Sequence, residues 1–509
     1  VWAGSAQVYF NKQIDWEHNF DYFAGSAIFT DTSNILLAGG SSIVSLVWDS
    51  FLVAKVNKNG DMIWKKSFNA KLGASGNTAN LLRINDEFSL IHGNAYVLTA
   101  SPPNTQYFFI KIRNDTGEKV WVKEIGENYV EEGGYKLIQT DDGGFALAGY
   151  SFPFGGGQQP KMLILKIDSL GNQVFRKDYS TDASKEHRPF SIVQTSNGGY
   201  ILQGFRGYFG TYPGGNTTIH KNDWVIIGTD GQGNQQWEKV FEPFEWKQHI
   251  FYGRDIIALA DGTYLVAGLK GYAILQTGVS YFGKYFFAKF DELGNIVDSI
   301  TLPDQYYFFK TSRLKQLEDG NIWVIGAERD SQNLGQTGLI MKITPELQVL
   351  WRREYRVSPP ESMIHDIFNE GAEMPDGGFV LCGLAFGPLN DSTNQNGWVI
   401  RVDSFGCLEP GCQLNSAIED PPAIEQNIGI TLSPNPTSGQ ARLALTHDGA
   451  VLLGVRVMDV QGRVVSDVQF LRSAGWRECV VDLDGEPAGV YVVQVRTSEG
   501  RGVRKIVKQ

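Results

Sequence analysis

The chain of 509 residues is too long for one ordinary domain unless that domain is built from repeats. Its 45 basic and 56 acidic residues give a net charge of −11 and form no basic stripe, which excludes nucleic acid and anionic membranes as expected partners. There is no apolar run of about 18 residues, so no transmembrane segment is predicted. No export signal is recognisable at Val1, and any such signal would precede this numbering.

The first predicted element is a strand over residues 6–14, and a recurring motif follows it. The motif is a polar turn and then a strand that ends in glycine, as in QTDDGGFALAGYS at residues 139–151. Its glycines stand 54 to 64 residues apart, at Gly39, Gly93, Gly149, Gly204, Gly268, Gly326 and Gly383. This period indicates a repeat architecture, and the short Val-, Ile- and aromatic-rich strands between turn residues indicate β structure.

A second motif alternates with the first, so each repeat unit supplies four strands. It is an apolar strand, a Lys, a polar turn and a further strand, as in MLILKIDSLGNQVFRKDY at residues 162–179. In the third unit the predicted strands cover residues 135–140, 145–151, 161–168 and 173–179. Four-stranded units arranged radially form a β-propeller, and seven units predict seven blades.

The seventh unit indicates how the propeller closes. Its first three strands end near Val402, and the sequence CLEPGC then stands where a fourth strand is expected. We predict that the N-terminal strand completes this blade, which leaves no open edge between the first and last blades.

Antiparallel strands place the tight turns of each unit on one side and its longer connections on the other. Asp142-Gly143-Gly144 suits a hairpin turn, because Asp tolerates turn geometry and Gly takes positive φ. The repeated motif is therefore interpreted as structural. The longer connections are variable and aromatic, and they fall at residues 152–160, 206–222, 242–253, 271–283 and 303–310.

These connections are the predicted ligand-binding region. Function concentrates on loops held by a rigid scaffold, and Tyr and Trp provide large rigid contact areas with a hydrogen-bonding tip. The candidate residues are Tyr208, Tyr212, Trp246, Tyr252, Tyr281, Tyr306 and Tyr307. The alternative is that the connections pack their own aromatic side chains. We expect a glycan or a protein as ligand, and no cofactor.

A second hypothesis places a site at the mouth of the central channel. His187, His249 and His365 each stand 17 to 19 residues before a motif glycine, near the start of a unit. Converging histidines could bind a metal or act as acid and base, whereas isolated histidines are commoner. The Asp box of sialidases and the known hydrolase and phosphate-loop motifs are absent, so no catalytic residue is assigned.

Metal sites are not expected elsewhere. DGQGN at Asp230 is similar to a calcium loop, but its position matches an ordinary turn of the repeat. Cys407 and Cys412 flank a Pro-Gly turn and could form a small disulfide loop in an oxidising compartment, or bind a metal. Cys382 follows Leu381 in a predicted strand and is expected to be buried.

The composition changes after Cys412. Residues 1–412 form the predicted propeller, residues 413–428 are a polar, proline-bearing linker, and residues 429–509 read as the short alternating strands of a small immunoglobulin-like β-sandwich. Four segments of this last region match a known family: SPNPTSG at 433–439, VMDVQGR at 457–463, GVYVVQV at 489–495 and KIVKQ at 505–509. The sorting-motif residues within them include Pro434, Asn435, Pro436, Gly439, Gly489, Tyr491, Lys505 and Lys508.

This region resembles the C-terminal sorting domain of substrates of the bacterial type IX secretion system. The resemblance implies export across the outer membrane, release or attachment at the cell surface, and a translocon and shuttle protein as partners. For the propeller we expect a binding or adhesion role, with a structural subunit of a surface assembly as the first alternative and a hydrolase or lyase as the second. Fold alone does not decide among them.

Overall fold

The computed structural model describes residues 9–14, 20–28, 34–42, 50–69, 80–97, 104–127, 129–153, 159–180, 182, 184–211, 218–241, 249–274, 280–302, 308–329, 336–357, 366–375, 377–386, 395–408, 412, 429–446, 451–459, 464–469, 476–497 and 500–509. Every secondary-structure element in these residues is a β-strand, as predicted. The chain divides into two compact bodies. The larger contains Val1–Gln316, Ile322–Met341 and Arg352–Glu409, and the smaller includes Pro410–Gln509.

The larger body begins with strand β1 (Phe10–Ile14), and units of four consecutive strands follow it. The first unit is β2 (Phe20–Ile28), β3 (Ile35–Ser42), β4 (Ser50–Val56) and β5 (Met62–Asn69). The second is β6 (Asn80–Arg83), β7 (Phe88–Val97), β8 (Asn104–Arg113) and β9 (Lys119–Ile125). The third is β10 (Val130–Gln139), β11 (Phe145–Pro153), β12 (Lys161–Ile167) and β13 (Gln173–Tyr179). The fourth is β14 (Glu186–Gln194), β15 (Tyr200–Thr211), β16 (Thr218–Thr229) and β17 (Gln235–Phe241).

The later units have the same order. The fifth is β18 (His249–Ala258), β19 (Tyr264–Ile274), β20 (Ser280–Phe290) and β21 (Ile296–Thr301). The sixth is β22 (Phe308–Gln316), β23 (Ile322–Arg329), β24 (Thr337–Ile343) and β25 (Val349–Tyr355). The seventh has β26 (Ile367–Glu373), β27 (Phe379–Phe386) and β28 (Gln395–Val402), and β1 pairs antiparallel with β28 in the place of its fourth strand.

Consecutive units lie side by side. The first strand of each unit contacts the first strands of the units before and after it, and β26 contacts β2. Among the described strands no single sheet closes on itself. The third unit differs from the sequence prediction in one respect: β10 begins at Val130, five residues before Tyr135, because its first half, with Gly133 and Gly134, lacks the apolar alternation that marks a strand.

The hydrophobic cores lie between neighbouring units. Leu90 and Phe109 of the second unit share one core with Leu147 and Leu163 of the third. Ile35, Leu52 and other residues of the first unit share another with Val380 and Val399 of the seventh. The second strand of a unit is therefore buried on both faces, as the pattern of β11 shows.

The two repeated motifs are joined by an ion pair. In the third unit Lys166 of β12 donates to Asp142 Oδ1 of the β10–β11 turn at 3.0 Å, and Gly144 N donates to the same oxygen at 2.9 Å. Burial opposes ionisation, but the hydrogen bonds from Lys166, Thr140 and Gly144 lower the pKa of Asp142 to about 2. Equivalent pairs form in the fifth unit, between Lys289 and Asp261, and in the sixth, between Lys342 and Asp319.

The turn between the third and fourth strands has its own carboxylate. Asp230 Oδ1 accepts hydrogen bonds from Gln232 N at 3.0 Å and Asn234 N at 2.8 Å, and its Oδ2 accepts one from Asn234 Nδ2 at 2.9 Å. Asp168 and Asp291 bond in the same way. The segment DGQGN is therefore an ordinary Asx turn of the repeat.

The glycine of this turn receives the fourth-strand aromatic residue of the preceding unit. Gly171 has a φ of +80°, and a Cβ there would lie 2.9 Å from the Trp121 ring and 2.8 Å from Lys123. Gly60 has a φ of +75°, and a Cβ there would lie 2.9 Å from the ring of Phe10 in β1. Phe10 thus packs on the first unit as Trp121 packs on the third.

Further contacts tie β1 into the seventh and first units. Trp398 Nε1 of β28 donates to Asn11 Oδ1 at 2.7 Å, and Lys12 forms an ion pair with Asp61 at 2.9 Å. The backbone pairing runs from Phe10 opposite Arg401 to Ile14 opposite Gly397.

Phe10→Ala is expected to lower the free energy of unfolding by about 3 kcal/mol, because a buried phenylalanine is removed between two units. Ile63→Ala, in β5 at 49% exposure, is the matched control and should change it by less than about 0.5 kcal/mol. Urea unfolding of the two variants measures the difference. Equal stabilities would show that β1 does not stabilise the larger body.

The smaller body contains two sheets that share one core. Strands β29 (Ile430–Ser433), β30 (Gln440–Leu445) and β33 (Glu478–Asp482) form one sheet. Strands β31 (Leu452–Asp459), β32 (Val464–Gln469), β34 (Gly489–Thr497) and β35 (Gly500–Lys508) form the other. Leu443, Val457, Val493 and Ile506 are among the core residues that the two sheets bury together.

Candidate functional site

The first strand of most units carries a β-bulge opposite the motif glycine. In β10, Gly134 pairs with Gly149 and Lys136 pairs with Ala148, so Tyr135 is the extra residue. The same interruption precedes Ser191, Asp255, Arg313 and Glu370 in the later units. Bulges re-aim the side chains beside them, so residues at this position share one environment.

Six polar residues occupy equivalent positions, each 13 residues before a motif glycine. We call them the central ring; they are Asn80, Lys136, Ser191, Asp255, Arg313 and Glu370. Sequence reasoning missed them, although their constant distance from the glycines is a signal that a count of polar residues at that offset would have found.

The ring residues bond to one another across units. Lys136 Nζ donates to Asp255 Oδ1 at 2.5 Å, and Ser191 Oγ donates to the same oxygen at 2.6 Å. Arg313 Nε donates to Glu370 Oε2 at 2.8 Å, and its Nη2 donates to Asn80 Oδ1 at 3.1 Å. Asn80 and Arg313 are 233 residues apart in the chain, so this bond joins the second unit to the sixth.

Asp255 is the most heavily bonded member. It is fully buried, and its Oδ2 accepts a further hydrogen bond from Leu314 N at 2.8 Å. Burial alone would raise the pKa of Asp255, but the charges of Lys136 and Arg313 and the hydrogen bonds from Lys136 and Ser191 lower it below its ordinary value. The charged groups of the ring are therefore committed to one another.

A second group of side chains adjoins the ring, and we call it the aromatic–arginine cluster. It contains Tyr135, Tyr150, Arg188, Phe190 and Arg254, all of them partly buried. The rings of Tyr135 and Phe190 meet edge to face at 5.7 Å between centroids. The guanidinium of Arg188 lies 4.2 Å from the Tyr150 centroid, and that of Arg254 lies 4.6 Å from the Phe190 centroid.

His187 does not belong to this cluster. It is 1% exposed, and because it precedes Arg188 in β14 its side chain points to the opposite face of the strand. Its Nδ1 lies 3.0 Å from the Lys185 carbonyl oxygen, and burial lowers the pKa of its imidazole. Only the backbone of His249 is described, and His365 lies outside the described residues, so a shared histidine site stays a prediction.

The predicted aromatic contact residues fall largely outside the described part of the chain. Tyr212, Trp246, Tyr306 and Tyr307 are not described. Tyr208, Tyr252 and Tyr281 extend β15, β18 and β20, and only their backbone is described. Their role as ligand contacts stays a prediction.

The cysteines have two roles. Cys407 and Cys412 form a disulfide, which resolves the choice between a disulfide and a metal site. Cys382 and Cys479 are free thiols, and Cys382 is fully buried as predicted. Among the described residues no group of three or more His, Cys, Asp or Glu side chains is arranged to hold a metal ion.

In the smaller body, the SPNPTSG segment is bonded to the last strand. Asn435 Nδ2 donates to the Lys505 carbonyl oxygen at 2.7 Å, and its Oδ1 accepts from Val507 N at 2.9 Å. Thr437 exchanges backbone hydrogen bonds with Val507 and Gln509 at 2.8 and 2.9 Å. Two segments about 70 residues apart thus form one hydrogen-bonded structure.

The other motif residues support this arrangement. Lys508 Nζ donates to the carbonyl oxygens of Leu483 and Glu486 at 2.7 and 2.6 Å, whereas Lys505 is exposed. Tyr491 of β34 is buried opposite Ile506, and its hydroxyl donates to the Pro487 carbonyl at 2.6 Å. The remaining motif positions lie beside these contacts: Pro434 and Pro436 flank Asn435, Gly439 accepts from Leu483 N, and Gly489 begins β34.

Residues 431–509 match a family described as the secretion system C-terminal sorting domain. The tail is therefore a sorting domain, as its sequence motifs indicated, and the protein is secreted or lies at the cell surface. Among the described residues, no helix is both long and apolar enough to cross a membrane.

Comparison with curated proteins finds no significant match. Solved structures of low similarity include PorZ of Porphyromonas gingivalis, described as an essential surface component of its type IX secretion system. Its identity is 11% and its TM-score 0.33, and the alignment covers 94% of this chain and 68% of PorZ. An α-L-arabinofuranosidase of Fusarium graminearum bound to arabinobiose is 11% identical with a TM-score of 0.41, covering 78% and 98%. The Dos1 propeller is 8% identical with a TM-score of 0.38, covering 75% and 77%. These values are too low to transfer an activity.

Proposed function

We propose that this secreted chain is a binding or adhesion protein, in which residues 1–412 form a seven-bladed propeller closed by β1. Residues 413–428 are then a linker, and residues 429–509 are an immunoglobulin-like sandwich that engages the type IX translocon and its shuttle protein. The closed ring is supported by the contact of β26 with β2 and by the Phe10 ring packed on Gly60.

Binding rather than catalysis is supported by one observation above all: the charged groups of the central ring are paired with one another. Asp255 accepts from Lys136, Ser191 and Leu314, and Arg313 donates to Glu370 and Asn80. A catalytic acid or base needs a perturbed group that can reach a substrate. Here the paired ring serves as a rigid scaffold for the connections between strands.

We place the ligand on the side that carries the long connections. The tight turns of the other side spend their Asp carboxylates on internal hydrogen bonds, as at Asp142 and Asp230. The contact residues that we propose are the aromatic ones of the long connections: Tyr208, Tyr212, Trp246, Tyr252, Tyr281, Tyr306 and Tyr307. The ligand is a glycan or a protein.

Glycan and protein arrays probed with the purified full chain test this function. We expect discrete hits that are lost with Trp246→Ala or Tyr306→Ala, and that persist with Trp476→Ala, an exposed tryptophan of the sorting domain. A chain that gives no hits and polymerises without ligand would instead indicate a structural subunit.

A further inference from the structure

The aromatic–arginine cluster is placed by the bulges of three consecutive first strands. Tyr135, Phe190 and Arg254 are the bulge residues of β10, β14 and β18, and each directly precedes a member of the central ring. The bulge residues of β22 and β2 are Ser312 and Ala24. The aromatic and cationic bulge residues of the described first strands are therefore grouped on the third to fifth units.

The positive charge of Arg188 is only partly compensated. Its nearest carboxylate belongs to Glu186, with 3.6 Å between Arg188 Nε and Glu186 Oε2, which is longer than a hydrogen bond. Burial raises the pKa of Glu186, which weakens this carboxylate as a partner. The Glu131 carboxylate in the same region accepts from the Tyr150 hydroxyl at 2.9 Å.

The side chains of the cluster combine two kinds of recognition. A guanidinium held on an aromatic ring keeps its donor edge available for a carboxylate, which arginine binds in a bidentate way. Tyr135 and Phe190 are partly buried rings that provide a rigid apolar surface next to that donor edge. A flat, hydroxyl-bearing ring with an acid group fits both features.

We propose that the aromatic–arginine cluster binds a carboxylate-bearing sugar of a glycan. Arg188 and Arg254 receive the carboxylate, and Tyr135 and Phe190 contact the face of the sugar ring. This inference rests on the proposed binding function and names the chemistry of its ligand.

Titration calorimetry of the full chain tests the inference with two acidic probes, oligogalacturonate and sialyllactose. We expect one of them to bind, its methyl ester not to bind, and Arg188→Gln or Arg254→Gln to weaken binding about ten-fold or more. Arg188→Lys should weaken it as well, since lysine keeps the charge but loses the bidentate geometry. Arg113→Gln removes an exposed, ion-paired arginine of the second unit and should leave binding unchanged.

Three results would overturn the inference. They are an absence of binding by both acidic probes, equal binding of a methyl ester, and unchanged binding in both glutamine variants with unfolding temperatures like that of the wild type. If Arg188→Gln does not fold, Phe190→Leu applies the same test. Array hits that depend on Trp246 but not on Arg188 would leave the proposed function standing and reject this site, whereas no hits in any array would reject the proposed function itself.

Discussion

Removing residues 431–509 is expected to abolish secretion and leave the propeller in the periplasm. The deleted segment is the whole sorting domain, which is the part of the chain that the secretion machinery recognises. Immunoblots of periplasm, cell surface and medium measure the distribution. A truncated chain that reaches the medium as efficiently as the wild type would contradict the assignment.

A point substitution refines this experiment. Asn435→Ala removes both side-chain hydrogen bonds to β35, each worth about 1 kcal/mol. We expect a loosened last strand and a marked fall in secretion. Arg442→Gln is the matched control, because Arg442 is an exposed residue of the same domain whose surface ion pair with Glu478 contributes little. Equal secretion of the two variants would show that the SPNPTSG contact with β35 is not needed.

Asp255→Ala is expected to lower the free energy of unfolding of the larger body by about 3–5 kcal/mol, the cost of removing one partner of a buried ion pair. The substitution leaves Lys136 without its carboxylate and removes the acceptor for Ser191 and Leu314 N. Asp86→Ala, which breaks an exposed pair with Arg83, should cost at most about 1 kcal/mol. Urea unfolding compares the two, and similar costs would contradict a structural role for the ring.

The pH dependence gives a second measurement on the same residue. The folded-state pKa of Asp255 is lowered, so its stabilising effect is present above the unfolded-state value of about 4 and is lost as pH falls through the folded value. The stability difference between wild type and Asp255→Asn should therefore stay constant above about pH 5 and narrow in more acidic solution. A difference that grows on acidification would contradict the ion pairing.

The local features of the repeat are readable from the sequence because they join residues close in the chain. The turn at Asp142 and the strand β13 at Gln173–Tyr179 follow from nearby turn residues and apolar alternation. The Lys166 that recurs in the second motif pairs with Asp142, only 24 residues away. The sequence motifs of the tail likewise identify its family, which the match over 431–509 confirms.

The central ring could not be predicted in the same way. Asn80 and Arg313 bond across 233 residues, and Lys136 and Asp255 across 119. Such contacts depend on how whole units are placed around one centre, which no local pattern specifies. The bulges that aim these side chains also interrupt the apolar alternation, and this is why the predicted start of β10 was wrong.

The central claim is that ligand binds on the side of the long connections, and hydrogen–deuterium exchange of the full chain with its strongest array ligand tests it most directly. We predict slowed exchange in residues 206–222 and 242–253, and unchanged exchange in the tight turns at residues 140–144 and 168–172. Slowed exchange confined to those turns would contradict the account.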